Sequence, residues 1–175
     1  MRKFHKCIAA AAALVWMASC GGGAEDGIAS LEWLKSNNAL LQMKAIDFAA
    51  EERESAAMPG LIVLLDSPIE EVRLKSVFAL GRIGSQEAVP ALIERLDDES
   101  LDIRREAVTS LGKLKNPAAI HSLVLLLDSE ELELAVIWAI GNIGDSRSIP
   151  ILNDLLAGED PYVRYNASRA LAKIR

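Results

Sequence analysis

The chain has 175 residues, 51% of them hydrophobic and 25% charged, with 11 Gly and 6 Pro. That suffices for one folded domain and is too apolar, and too poor in Gly and Pro, for a disordered, collagen-like or low-complexity chain. The formal charge of −6 argues against any partner held by phosphate neutralisation, so nucleic acid is not expected as a ligand. Cys7 and Cys20 both fall near the start; two cysteines cannot build a disulfide framework, and these belong to targeting.

In chain order, Arg2, Lys3 and Lys6 precede an apolar stretch from Ile8 to Met17, followed by Ala18, Ser19 and Cys20. This is the layout of an export signal. The stretch is too short to cross a hydrocarbon core roughly 30 Å thick, which takes about 20 helical residues. Met17-Ala18-Ser19-Cys20, followed by Gly21-Gly22-Gly23, resembles the bacterial lipobox, with Met17 where Leu is more usual. The resemblance implies a signal peptide over 1–19, acylation of Cys20, and anchoring by two or three chains at about 0.8 kcal/mol per buried methylene. Cleavage removes three basic residues and no acidic ones, leaving 16 Lys plus Arg against 25 Asp plus Glu, a mature charge of −9. Residues 20–27 form a Gly-rich tether with a reach of roughly 15 Å.

From Ile28 the chain repeats. Aligning Pro59 with Pro90 places Leu61 on Leu92, Asp66 on Asp97, Val72 on Ile103, Arg73 on Arg104 and Gly81 on Gly112, a period of 31 residues. Further copies begin at His121 and Pro150 and a weaker one at Ile28, giving units near 28–58, 59–89, 90–120, 121–149 and 150–175. Within a unit the apolar residues recur twice at helical spacing, as in Val89, Leu92, Ile93 and Leu96, then Ile103, Ala107, Val108, Leu111 and Leu114. Each unit is therefore a helix pair. Asp66-Ser67-Pro68, Asp97-Asp98-Glu99-Ser100 and Gly158-Glu159-Asp160-Pro161 separate the two helices and supply oxygens to cap the second. Gly84 and Gly144 read as C-terminal caps with positive φ, Ser85 and Asp145 as openings of the next helix, and Pro59, Pro90 and Pro150 as first-turn residues.

Such pairs cannot bury both faces alone, so they must stack: the expected fold is an all-α solenoid of about five units. The pattern Pro-x-Leu, a turn Asp, Val-Arg, Ala, then Ala-Leu-Gly-x-Ile-Gly, carried by Pro59 to Gly84, resembles HEAT-like repeats of the short phycobilin-lyase type. That resemblance covers nearly all of the mature chain, implies the solenoid with second helices on its concave side, and is weak for function.

The inventory for catalysis is short. His121 stands where other units have Pro, and the sequence contains no His-Glu dipeptide of the kind that binds iron in one HEAT-like branch. Asp97, Asp98 and Asp102 lack the alternating ligand spacing and Gly of a calcium loop. Gly81-Arg82-Ile83-Gly84 ends a helix and does not form a phosphate loop. No cofactor, metal or enzymatic activity is expected. Asp66 with Arg73 and Asp97 with Arg104 recur as a structural ladder, broken by Glu133 in the Arg place.

The second helices suggest a binding face. Two outward positions, one turn apart, give Met43, Leu74, Arg105, Leu134 and Tyr165, then Asp47, Phe78, Thr109, Trp138 and Arg169. Leu74, Phe78, Leu134, Trp138 and Tyr165 would form an apolar groove rimmed by Arg82, Arg105, Lys113, Arg169 and Lys173, with Trp138 and Phe78 as joint anchors. The alternative is that the two aromatics fill gaps between units. Trp138 is expected to be exposed enough that its truncation hardly moves stability. The sequence thus reads as a monomeric protein- or peptide-binding scaffold, lipid-anchored in a bacterial cell envelope. Gly21 after the cysteine favours the periplasmic face of the outer membrane. An enzyme-accessory subunit or a structural spacer are the alternatives.

Overall fold

The computed structural model describes residues 31–174. The export signal, Cys20, the tether and the start of the first unit at Ile28 lie outside the described residues. Among those described there are nine α-helices and no strands. Second helices are α1 (Ala39–Glu52), α3 (Glu70–Ile83), α5 (Leu101–Leu114), α7 (Glu133–Ile143) and α9 (Pro161–Lys173); first helices are α2 (Met58–Leu64), α4 (Val89–Glu94), α6 (Ile120–Val124) and α8 (Ile149–Leu156). No helix among the described residues is long and apolar enough to cross a membrane.

Each unit turns over in the same way. The second helix ends on a left-handed residue, Gly84 (φ 83°) and Gly144 (φ 75°) as expected, but also Arg53 (φ 51°) and Lys115 (φ 55°), where no Gly announces it. A short 3-10 turn then leads into the first helix, opened by Glu54, Ser85, Asn116 or Asp145, whose side chain accepts the N–H two residues on. Pro59, Pro90 and Pro150 fall within the first turn, where a missing N–H is harmless. The first unit departs most, with a 3-10 turn at Trp33–Lys35 that buries Leu34.

Capping of the second helices differs from expectation. Asn38 caps α1, accepting from the Leu40 N–H, and Asp160 caps α9, accepting from the N–H groups of Tyr162 and Val163. Ser67 and Asp98 accept from Ile69 and Ser100 instead, which holds the turn ahead of the helix. These connections are tight enough that the turn residue meets the N–H entering the helix rather than one inside it.

The repeated apolar positions form one continuous core. Leu61, Leu92, Leu123 and Leu152 are fully buried, as are Val72, Ile103, Ala107 and Ala167. Each second helix packs on its own first helix and on the second helices of its neighbours, whereas successive first helices touch much less. The close approach has a cause in the sequence. A Cβ added to Gly81 would stand 2.7 Å from Ser110 Cβ; on Gly112, 2.8 Å from Ala139 Cα; on Gly141, 2.7 Å from Ala170 Cα. Glycine in one second helix therefore takes a small residue of the next, an arrangement the reading of Gly81 as part of a helix ending did not anticipate.

Candidate partner-binding face

The ladder of acids and arginines is built differently from the sequence expectation. Arg73 does not pair with Asp66. It reaches forward into the next unit, where Nε and Nη2 donate to the two Asp98 oxygens at 3.1 and 3.2 Å and Nη2 also donates to Glu99 at 2.9 Å, while Nη1 donates to the Ser67 carbonyl. Both Arg73 and Asp98 side chains are buried, 8% and 5% exposed. Burial pushes the Asp98 carboxyl up, but the hydrogen bonds from Arg73 and the Ser100 N–H outweigh it and leave it below its ordinary value. Asp66 is instead bound by Arg95. Arg104 pairs with no Asp97 carboxylate: it donates to the Asp98 and Glu99 carbonyls, as Arg164 does to those of Gly158 and Glu159. Aligned copies identify equivalent residues, but an Arg side chain is long enough to reach the neighbouring copy.

Glu133 occupies the Arg place in the unit at 121–149. Burial, and then the nearby carboxylates of Asp160, Glu130 and Asp128, hold its carboxyl above the usual range. Among the described residues, no side-chain hydrogen bond or ion pair joins the unit at 90–120 to the unit at 121–149. That seam rests on packing, including the Trp138 ring, whose Cζ3 lies 2.8 Å from where a Gly112 Cβ would be.

The outward stripe is exposed only in part: Met43 and Thr109 are half-buried. Phe78 is 41% exposed, Leu134 44%, Trp138 39% and Tyr165 60%. Leu74 is half-buried against the core. Arg105 is exposed and pairs with Asp102 at 3.1 Å, and Arg169 lies over the Tyr165 ring at 5.6 Å. Asp47 is neutralised by Lys75.

The two proposed anchors do not share a pocket. Phe78 lines a groove of about 510 Å³ with Arg53, Gly81, Arg82, Gly84 and Lys113, and its ring is bracketed by the Arg82 guanidinium at 5.9 Å and the Lys113 ammonium at 5.7 Å. Trp138 edges a small cleft of about 30 Å³ with Asn166, Arg169, Ala170 and Lys173. Thr109, on the intervening helix α5, supplies no aromatic to connect them. Trp138 is thus both a surface residue and a packing residue. With about three-fifths of it covered, truncation should cost on the order of 2 kcal/mol rather than almost nothing, scaling from about 3–5 kcal/mol for a fully buried Trp.

The carboxylates considered for a cation are engaged elsewhere: Asp98 by Arg73 and Asp102 by Arg105, with Asp97 left exposed. Among the described residues no cluster of three or more His, Cys, Asp or Glu is placed to hold a metal. His121 is exposed on α6.

No curated protein matches the chain. The fold is similar to that in the complex of CpcE and CpcF of phycocyanin lyase from Nostoc sp. PCC7120, with a TM-score of 0.74, 27% identity, and coverage of 89% of this chain and 67% of the other. A designed armadillo repeat protein in complex with the peptide (KR)4 aligns with a TM-score of 0.66 and 26% identity over 83% of this chain and 80% of its own. Computationally designed armadillo repeat proteins for modular peptide recognition share the fold, with a TM-score of 0.63 and 24% identity over 83% of this chain and 81% of theirs. The family model for HEAT repeats matches residues 58–133 and 127–175, most of the chain. With its helix pairs, buried repeat positions and glycine-seated stacking, the chain belongs to the HEAT-repeat family.

Proposed function

We propose that the chain is a non-enzymatic interaction module that binds a protein or peptide on its second-helix face and is held at a bacterial membrane through acylated Cys20. The observation that carries this reading is the recurrence of exposed apolar and aromatic side chains at two repeat positions of three second helices, Phe78 on α3, Leu134 and Trp138 on α7, and Tyr165 on α9. A chain of which only 5% is aromatic exposes them together on one face. Such patches mark partner sites more often than chance exposure does. The glycine-seated contacts join successive second helices into one continuous layer, which supports reading their outward side as a single binding face. The peptide-bound designed armadillo protein offers a precedent for a helical solenoid of this kind holding a peptide.

An accessory role in an enzyme complex is the second reading, favoured by the likeness to the phycocyanin lyase complex. Photocrosslinkers at positions 134 and 165, compared in cells with one at Leu125, which is 68% exposed on the other face, separate specific capture from random collision. A discrete adduct from 134 and 165 alone is expected, together with loss of fatty-acid labelling in Cys20→Ala. Equal adducts from all three positions would remove the binding face.

A further inference from the structure

The groove around Phe78 has a charge that runs against the rest of the chain. Acidic residues outnumber basic ones by 25 to 19, yet the groove is lined by Arg53, Arg82 and Lys113 and by no carboxylate. Three second helices converge there. Arg53 is the left-handed cap of α1, and Arg82 and Lys113 stand in the last turns of α3 and α5. Helix C-termini favour cations, which accounts for basic residues at helix ends but not for three of them lining one groove, two of them over one aromatic ring. Among the described residues, neither Arg53 nor Arg82 makes an ion pair or a side-chain hydrogen bond, and Lys113 has only Glu106, at 3.7 Å. Phe78 holds Arg82 and Lys113 at its faces while two-fifths of it stays open to solvent.

The position carrying Arg82 and Lys113 recurs further along the stack as Asn142 and Lys173, which are bonded to each other across units at 2.6 Å. One row of this repeat position therefore presents donors from α3 to α9, running beside the row of Phe78 and Trp138. Successive packed helices lie about 8–10 Å apart, and an extended chain advances about 3.3 Å per residue. Every third residue of an extended peptide thus meets a successive second helix.

We propose that this groove binds an acidic peptide segment in extended conformation, with carboxylates about three residues apart on the row from Arg82 and an apolar side chain between them on Phe78. The proposal rests on the second-helix face being the binding face and adds the chemistry of its occupant. Charge complementarity selects the class: the basic row is narrow, and the same helices begin with Glu70, Glu71, Asp102 and Glu133. A flat anionic bilayer would have to meet those acids as well, whereas a single extended strand follows the row alone.

The test uses detergent-solubilised full-length protein and three fluorescein-labelled peptides, (Glu-Leu-Ser)4, (Gln-Leu-Ser)4 and (Lys-Leu-Ser)4, followed by anisotropy. The glutamate peptide should bind at least tenfold more tightly than the other two and weaken as salt rises from 50 to 500 mM. Arg82→Glu combined with Lys113→Glu should lower its affinity at least tenfold with the helical circular dichroism unchanged; Lys35→Glu, ahead of α1 and so at the opposite end of that helix from Arg53, should leave the affinity unaltered. Equal binding of the glutamine peptide, no measurable binding of the glutamate peptide, or an equal loss in Lys35→Glu overturns the acidic occupant. Sedimentation with phosphatidylserine vesicles that disappears in the double variant would assign the groove to a lipid surface and overturn it too. In each of these cases position-specific crosslinks from 134 and 165 would still stand, so failure of the ligand chemistry is distinguishable from failure of the binding face.

Discussion

Gly81 and Ser110 provide the sharpest test of how the stack is held. An alanine Cβ at position 81 would stand 2.7 Å from Ser110 Cβ and 3.2 Å from its Cα, and would collide with Ser110 Oγ. Carbon atoms pack best at about 3.5–4.0 Å, so α3 and α5 must part by close to an ångström. Overpacking of this kind costs about 1–3 kcal/mol. Gly→Ala inside a helix also gains about 1 kcal/mol of intrinsic propensity, so the single variant alone has an uncertain sign. A double-mutant cycle removes that ambiguity, because the propensity of each position cancels. Ser110→Gly deletes Oγ and Cβ, and with them the hydrogen bond to the Val77 carbonyl, leaving only the 3.2 Å contact to meet the new methyl. The expected coupling between Gly81→Ala and Ser110→Gly is about 1–3 kcal/mol in the direction of rescue, within the usual range for touching residues. It would be read from urea unfolding of the four proteins by circular dichroism. At Gly141 the obstacle includes Ala170 Cα at 2.7 Å, a backbone atom no side-chain change can remove, so Gly141→Ala should destabilise on its own and resist rescue by Ala170→Gly. Additivity at the Gly81 pair would refute glycine-seated stacking.

Arg73→Met should lose about 3–5 kcal/mol, because it strands the Asp98 carboxylate in a buried position; Arg73→Lys should recover little of this, since one ammonium cannot span Asp98, Glu99 and the Ser67 carbonyl, and urea midpoints decide it. Glu133→Arg should stabilise the protein by restoring a guanidinium to the turn before α7. The native Glu133 carboxyl is raised in the fold, so its protonated form is the better tolerated; the advantage of the arginine variant should be largest at neutral pH and shrink as pH falls through the carboxylate range. The Asp145 carboxyl is held down to about 2, chiefly by the Arg147 side chain and its N–H. Its contribution is present above the ordinary carboxylate value of about 3.9 and is lost as pH falls through about 2, so Asp145→Asn should lower the urea midpoint at pH 6 and leave it unchanged near pH 1.5.

What the sequence made legible was whatever depends on local chemistry repeated in register. Pro59, Pro90 and Pro150 lie in first turns, Gly84 and Gly144 carry positive φ, and Leu61, Leu92, Leu123 and Leu152 occupy one buried position four times over. The exposed stripe followed from the same logic, since residues that vary between units are those the core does not constrain. What escaped depends on which copy a side chain reaches. Arg73 meets Asp98 of the next unit, a choice set by the length of the arginine and the offset between units. Arg53 and Lys115 end helices without Gly because their neighbours fix the backbone strongly enough to offset the strain of a left-handed residue. Gly81, Gly112 and Gly141 did carry a signal, being buried three residues before each cap and facing Ser110, Ala139 and Ala170 of the following units. Small residues recurring at a fixed offset between repeats are the trace of close helix approach.

The polar links are unevenly spread, and this bears on how the face works. Between the units at 59–89 and 90–120 run the Arg73 fork, the Arg95 bonds to Leu65 and Asp66, the Ser100 bond to Glu70, and the Gln86 bonds to Leu114 and Asn116. The next seam has none of these among the described residues and relies on apolar contact, with Trp138 seated on Gly112. Apolar packing is non-directional and tolerates small rotations, whereas a buried guanidinium fork fixes distance and angle together. The Phe78 groove therefore sits on the firmly keyed part of the stack, and Trp138 at the seam with most freedom to adjust. A segment anchored by charge at Arg82 and Lys113 and by an apolar side chain at Trp138 would bridge that seam, supplying the cross-link that Arg104, spent on the Asp98 and Glu99 carbonyls of its own unit, does not.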